Sequence, residues 1–241
     1  MAYLKIPLSL SAAVGNHITL TAPQPPLSAD EWEKDISPSE RLYRRTLQLI
    51  PPLAKYAVWI CSLCEVAVIL AAQHPAHPLA QKTLRTLVWG SAQSAQRIGR
   101  ITPAYAVGCA LAVAGGALRR ECFRALGRFF TFELALRPKH RLVTGGPYAI
   151  VRHPAYTTGI AGITGIAVCL GSPGSWLRES GVLTTLWGGA VAGAWYAWST
   201  YLLGSLFWRM PQEDRMLRRQ FGQEWDEWAA RVPYRLVPGV Y

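Results

Sequence analysis

The chain has 241 residues, of which 51% are hydrophobic and only 16% charged, against about 25% charged in an ordinary soluble domain. That apolar and aromatic content excludes a disordered chain, and five cysteines in 241 residues exclude a small disulfide scaffold. The charge is lopsided: 25 Lys and Arg against 14 Asp and Glu give +11 and a pI near 9.8. Such an excess marks either a nucleic-acid footprint or the cytoplasmic face of a membrane protein.

Residues 4–20 open the chain with an apolar run interrupted by Pro7, Asn16 and His17. It is a possible fifth membrane element beside the four spans below. With Lys5 as its only n-region charge and no clear cleavage site, it does not read as a signal peptide. Residues 21–50 are polar and proline-containing, and predict a surface loop followed by a short interfacial helix. Four long stretches nearly free of charge come next: Ala57–Ala72, with Glu65 inside it; Ile101–Leu118; Ala155–Gly171; and Gly181–Trp208, 28 residues without one charge. A helical span needs about 20 apolar residues. The Gly and Ala of the second and third stretches allow close helix approach, and the first requires Glu65 to face the bundle interior. The expected fold is an all-α polytopic membrane bundle with four to five transmembrane helices and a C-terminal interfacial helical segment. Residues 1–50 form a cytoplasmic or interfacial N-terminal segment, 51–118 the N-terminal transmembrane helices, and 119–241 a unit of two transmembrane helices and C-terminal cytoplasmic helices.

Basic residues settle the meaning of the charge. Segments 1–50, 119–154 and 209–241 hold 5, 8 and 6 of the 25 Lys and Arg, whereas 73–100 and 172–180 hold 4 and 1. Under the positive-inside rule both termini are cytoplasmic. Alternation between apolar spans does not fit a nucleic-acid binder.

Two cytoplasmic segments carry the polar chemistry. Residues 144–156 read TGGPYAIVRHPAY. Pro154 suits the first position of a helix, and His153 before it is pushed towards extended backbone. The first-turn N–H groups from Ala155 and Tyr156 onward are placed to receive an anion, and Gly145-Gly146-Pro147 predicts a tight turn. The bland alternative is a basic membrane-edge loop with a capping histidine. Residues 209–225 begin RMPQEDR, placing Arg209 at the end of the longest span and Glu213-Asp214 in a helical first turn. These read either as a snorkelling arginine with dipole-favoured acids or as an anion site beside a cation site. Trp225 and Trp228, three apart, suit a helix on the bilayer surface or core packing. Trp195, Trp198 and Tyr201 share a helical face and either line a lipid-sized groove or pack. Cys61 and Cys64, inside an apolar span, read as packing, and His74-Pro75-Ala76-His77-Pro78 is a poor metal site. No metal is expected.

The run His140-Arg141-Leu142-Val143-Thr144, then Gly146-Pro147-Tyr148 and Arg152-His153-Pro154-Ala155-Tyr156, resembles the isoprenylcysteine carboxyl methyltransferase family. So do Leu126-Gly127 to Phe132 upstream, and Arg209, Glu213-Asp214, Phe221-Gly222, Glu224-Trp225, Val232-Pro233 and Val237-Pro238 downstream. The resemblance covers about residues 115–241. It implies a small polytopic methyltransferase of the endoplasmic reticulum membrane, with its site on the cytoplasmic side. Such an enzyme uses S-adenosyl-L-methionine to esterify the C-terminal prenylcysteine of farnesylated or geranylgeranylated CaaX proteins. The family's cofactor contacts fall on Glu133, His140, Arg141, Leu142, Val143, Tyr148, His153, Pro154, Ala155, Tyr156 and Glu213, and its substrate-binding arginine on Arg209. Arg152 is the second arginine expected to hold the acceptor carboxylate. Pro211-Gln212-Glu213-Asp214 stands where the family often has a run of Glu. The competing readings are a phospholipid amine methyltransferase, an NADPH-dependent membrane reductase sharing an Arg-His-Pro-x-Tyr segment, and a non-catalytic membrane scaffold.

Overall fold

A computed structural model describes residues 2–25, 38–91, 93–133, 137 and 139–240. Among them the chain is all-helical. The helices are α1 (Lys5–Thr19), α2 (Pro38–Gln73), α3 (Pro78–Leu87), α4 (Ser94–Ile98), α5 (Pro103–Leu126), α6 (Pro154–Gly171), α7 (Trp176–Glu179), α8 (Leu186–Phe221) and α9 (Gln223–Arg231). Their starts follow local chemistry. Thr102 accepts a hydrogen bond from the Tyr105 N–H at 3.2 Å with Pro103 behind it, and Thr185 accepts from the Gly188 N–H at 3.1 Å; both are side-chain caps of otherwise unpaired donors. Pro154 is the first residue of α6, as its missing N–H favours.

Small residues bring α1, α5 and α6 together. A Cβ added to Gly115 of α5 would lie 2.5 Å from the Gly162 nitrogen of α6, and one on Gly116 would lie 2.6 Å from Gly15 Cα of α1. The backbones therefore touch, the close approach that gives helices in lipid their packing energy. Around these crossings Ala12, Ala13, Val58, Ala112 and Ile166 form a core with almost no exposed surface. The N-terminal apolar run is thus a helix of the bundle, packed chiefly on α5.

Glu65 of α2 faces the interior, as its place in an apolar stretch requires. It pairs with Lys5 Nζ at 3.2 Å, accepts from the Tyr105 hydroxyl at 2.6 Å, and accepts from the Trp176 N–H at 2.8 Å. Lys5 also donates to the Ile98 carbonyl at 2.7 Å and the Gly174 carbonyl at 2.5 Å. This satisfied cluster ties α1, α2 and α5 to the loops after α4 and α6.

Two helical stretches are long and apolar enough to cross a membrane, Leu49–Gln73 and Pro154–Glu179. They contain the first and third expected spans. The second expected span lies in α5, of 24 residues, from Pro103 onward; the fourth lies in α8, of 36 residues, only from Leu186, with a 3-10 turn over Val182–Thr184 before it. Arg119 and Arg120 directly follow the apolar run of α5, and the glycines, tryptophans and tyrosines of α8 lower its mean hydropathy. The outer face of α8 exposes Leu186, Trp187, Val191, Phe207 and Trp208, as a lipid-facing surface does. The expected short interfacial helix falls partly on residues 26–37, outside the described residues; from Pro38 onward the backbone belongs to α2 itself, which continues through Pro51 and Pro52.

Two aromatic expectations resolve as packing. Trp198 is buried against Leu20, Ala54, Ile163 and Leu202. Trp225 and Trp228 turn inward against Cys122 and Tyr148, with Trp228 Nε1 donating to the Tyr148 carbonyl at 3.1 Å. The apolar face of α9 is directed into protein, not towards lipid.

Candidate active site

A cavity of about 130 Å3 opens where α5, α6 and α8 converge with the loop from 129 to 148. Gly127, at φ +53°, closes α5 in a backbone region that glycine tolerates and sends Phe129–Phe132 across the bundle. The predicted turn is present as a 3-10 turn from Gly146 to Ala149, with Gly146 at φ +61°. It places Tyr148 in the cavity wall, where burial pushes its phenol well above the usual range.

Arg209 and Glu213 lie one helical turn apart on α8 and reach the same cavity. Arg209 is buried, and its Nη2 donates to the Phe132 carbonyl at 2.9 Å. Glu213 accepts from the Tyr156 hydroxyl at 2.7 Å and faces His153 Nδ1 at 3.6 Å. Burial alone would raise the Glu213 carboxyl. The hydrogen bonds and charge of His153, the Tyr156 hydroxyl and the Arg209 charge outweigh it and push it down to about 2.

His153 sits behind the cavity wall, clamped between two carboxylates, with Nε2 3.0 Å from Asp214 Oδ1. Burial alone would lower the imidazolium; Asp214 and Glu213 together overcome this and push it up to about 9. Asp214 is the hub, because Arg152 Nη2 at 3.6 Å and Arg235 Nε at 3.3 Å also converge on its Oδ2. Arg152, whose guanidinium also lies 5.7 Å from the Trp225 ring, lines the rim of the cavity while held by this cluster. The C-terminal segment docks here as a strap: the Arg152 and His153 N–H groups donate to the Tyr234 and Arg235 carbonyls, both at 2.9 Å.

At the first turn of α6 the Tyr156 and Thr157 N–H groups donate to the His153 carbonyl at 2.9 and 3.2 Å, so these two donors are taken up within the helix. The side chains of Arg119, Arg152 and Arg209 bring positive charge to the cavity.

His140 lies in the wall between Phe129 and Phe221, with ring centroids 4.8 and 5.9 Å away. Burial lowers its pKa, partly offset by Glu213. Its Nδ1 is buried without a hydrogen-bond partner, a donor or acceptor left for a ligand. Glu133, Leu142, Val143 and Ala155 complete the expected residues that line the cavity. Arg141 is exposed away from it, and His153 and Pro154 are buried behind it.

Sequence reasoning passed over Arg119. It lies in the last turns of α5, is 8% exposed, and lines the same cavity as Arg209. Its Nη1 donates to the Ala155 carbonyl, and its guanidinium stands 5.4 Å from the Phe123 and Phe132 ring centroids. The available signal was its place: an arginine directly after an apolar span, followed by an aromatic run. Asp214 was paired with Glu213 by adjacency, but its three basic partners come from distant segments.

The fold and site together define an all-helical membrane protein whose cavity is lined by Arg119, Arg152 and Arg209 among mostly apolar side chains. Residues 103–189, from the start of α5 into α8, match the phospholipid methyltransferase family. Protein-S-isoprenylcysteine O-methyltransferase B of Arabidopsis thaliana is 31% identical over 128 residues, covering 52% of this chain and 55% of that protein. Probable protein-S-isoprenylcysteine O-methyltransferases of Oryza sativa, subspecies indica and japonica, are each 29% identical over 128 residues, covering 52% of this chain and 57% of theirs. The chain spans about half the length of these curated relatives. The family resemblance read from the motifs is shown by these relatives.

Proposed function

We propose that this chain is an S-adenosyl-L-methionine-dependent methyltransferase that esterifies the C-terminal carboxylate of prenylcysteine in processed CaaX proteins, on the cytoplasmic side of the endoplasmic reticulum membrane. The observation that carries the proposal is the pairing on α8 of a buried guanidinium, Arg209, with a carboxylate held ionised, Glu213, at one cavity. Such a site has one place for an anionic acceptor and one for a cationic cofactor.

The residues present fit that cofactor. Glu213 suits its cationic groups. His140, with an unused buried Nδ1 and aromatic neighbours on two sides, suits a purine. When bound, S-adenosyl-L-methionine supplies an electrophilic methyl group. The protein has little proton chemistry to perform, because an α-carboxyl group with an ordinary pKa of about 3.3–3.7 is already ionised at pH 7. Arg209 and Arg119 orient the acceptor carboxylate, and the guanidinium plane suits two-point contact with it. The Phe129–Phe132 run excludes water, which would otherwise solvate the attacking oxygen. His153, Asp214 and Arg235 hold Glu213 and the Arg152 rim in place. The same two arginines disfavour an amine acceptor, which must approach uncharged.

The test is transfer of labelled methyl from S-adenosyl-L-methionine to N-acetyl-S-farnesylcysteine, run beside phosphatidylethanolamine, with the purified full chain. Prenylcysteine ester is the expected product. Arg209→Ala is expected to lower turnover by about a hundredfold or more, with Arg209→Lys intermediate. Methylated phosphatidylethanolamine with no prenylcysteine ester would overturn the proposal, as would full activity in Arg209→Ala.

A further inference from the structure

A second cavity, of about 320 Å3, adjoins the first. Its walls are the segment from Leu20 to Pro25, Pro51, Pro52 and Lys55 of α2, and Phe130–Glu133 with Arg137. The two cavities share Leu20, Pro51, Phe130, Thr131, Phe132 and Glu133, so the second is a vestibule to the first. Arg209 stands at the junction, where its Nη2 holds the Phe132 carbonyl.

The chemistry of the vestibule differs from that of the apolar branch. On the side of α6 and α8 the first cavity is bounded by Ile163, Leu202 and Leu206. The vestibule instead carries Thr21, Gln24, Lys55, Glu133 and Arg137. Lys55 Nζ donates to Thr21 Oγ1 at 3.0 Å, and Arg137 Nη2 to the Pro25 carbonyl at 2.9 Å. Both cations are thereby fixed at the walls by neutral oxygens, with donor capacity remaining. Arg137 Nε is buried with no hydrogen-bond partner. Among the described residues Lys55 and Arg137 outweigh Glu133 in charge.

A C-terminal prenylcysteine has three arms at its α-carbon: the carboxylate, the thioether with its prenyl chain, and the preceding peptide. The site offers three matching directions: the arginines, the apolar branch and the polar vestibule. Resting on the function proposed above, we infer that the vestibule is the subsite for the peptide preceding the modified cysteine, and that Lys55 and Arg137 select acceptors with acidic side chains there over lysine-rich ones. Carboxylates entering it gain charge-assisted hydrogen bonds, whereas lysines meet like charge close to low-dielectric walls.

The test compares N-acetyl-S-farnesylcysteine with two S-farnesylated peptides, one bearing two Asp and the other two Lys directly before the cysteine. Each peptide rate is expressed relative to the minimal acceptor for the same protein. The acidic peptide is expected to exceed the basic one in kcat/KM by about tenfold or more. The double variant Lys55→Glu, Arg137→Glu is expected to invert that order, and Lys55→Met, Arg137→Met to abolish it. Equal use of both peptides by a wild-type protein active on the minimal acceptor would overturn the inference and leave the function standing. So would a preference unchanged in the variants. Absence of methylation on all three acceptors would refute the underlying function, and the inference with it.

Discussion

Asp214→Asn is the most informative single substitution, because one carboxylate holds three cations from two distant segments. It keeps the volume and removes the charge facing His153, Arg152 and Arg235. The magnitude follows from the His153 imidazolium. The rise from its ordinary value near 6.5 to about 9 is worth on the order of 3 kcal/mol at and below pH 7. Asp214 supplies the shorter of the two carboxylate contacts, 3.0 Å against 3.6 Å. Its loss should therefore remove about 2 kcal/mol at pH 7, or about 4–8 °C in a chain of this size. Because the folded value is raised, this contribution is complete below about pH 6.5 and disappears as pH rises through about 9. Wild type and Asp214→Asn should therefore differ most at pH 6 and draw together at pH 10. A smaller deficit persists there from the Arg152 and Arg235 pairs. The assay is thermal melting of both proteins in nanodiscs across that range. A deficit equal at pH 6 and pH 10, or none at all, would refute the charged-histidine clamp.

Two further perturbations probe the bundle. Lys5→Met and Glu65→Leu should each destabilise by about 3–5 kcal/mol, since each leaves a buried charge unpaired; the double variant should lose less than their sum, because no unpaired charge remains, although the Tyr105 hydroxyl, the Trp176 N–H and the Ile98 and Gly174 carbonyls still lose their partners. Melting of the three variants checks this, and additive losses would contradict it. Gly115→Ala should lower stability by about 1–3 kcal/mol, because its Cβ would lie 2.5 Å from the Gly162 nitrogen and the helices must part. Gly193→Ala, with nothing within 4 Å of the added carbon, should be neutral or slightly stabilising in the same melting experiment.

Much of the site was legible locally. Pro154 as a helix start and the Gly146 turn follow from backbone chemistry that neighbouring residues decide. The inward orientation of Glu65 was readable because a lone acid in an apolar stretch has nowhere else to go. What was not legible needed partners far apart in the chain. The Tyr156 N–H of α6 looks open to an anion in the sequence but donates to the His153 carbonyl, and α9 looks fit for a bilayer but packs Trp228 against Tyr148.

The sequence by itself determined the all-helical class, the alternation of apolar spans with basic segments, and the residue types of the candidate site. Those depend on composition, period and short-range sterics. Only the tertiary structure decided which charges meet: Asp214 gathering Arg152, His153 and Arg235, Arg119 and Arg209 reaching one cavity, and Lys5 reaching Glu65. Side chains separated by tens of residues become neighbours only once helices have packed, and the energy of a charge depends on what stands within a few ångströms of it.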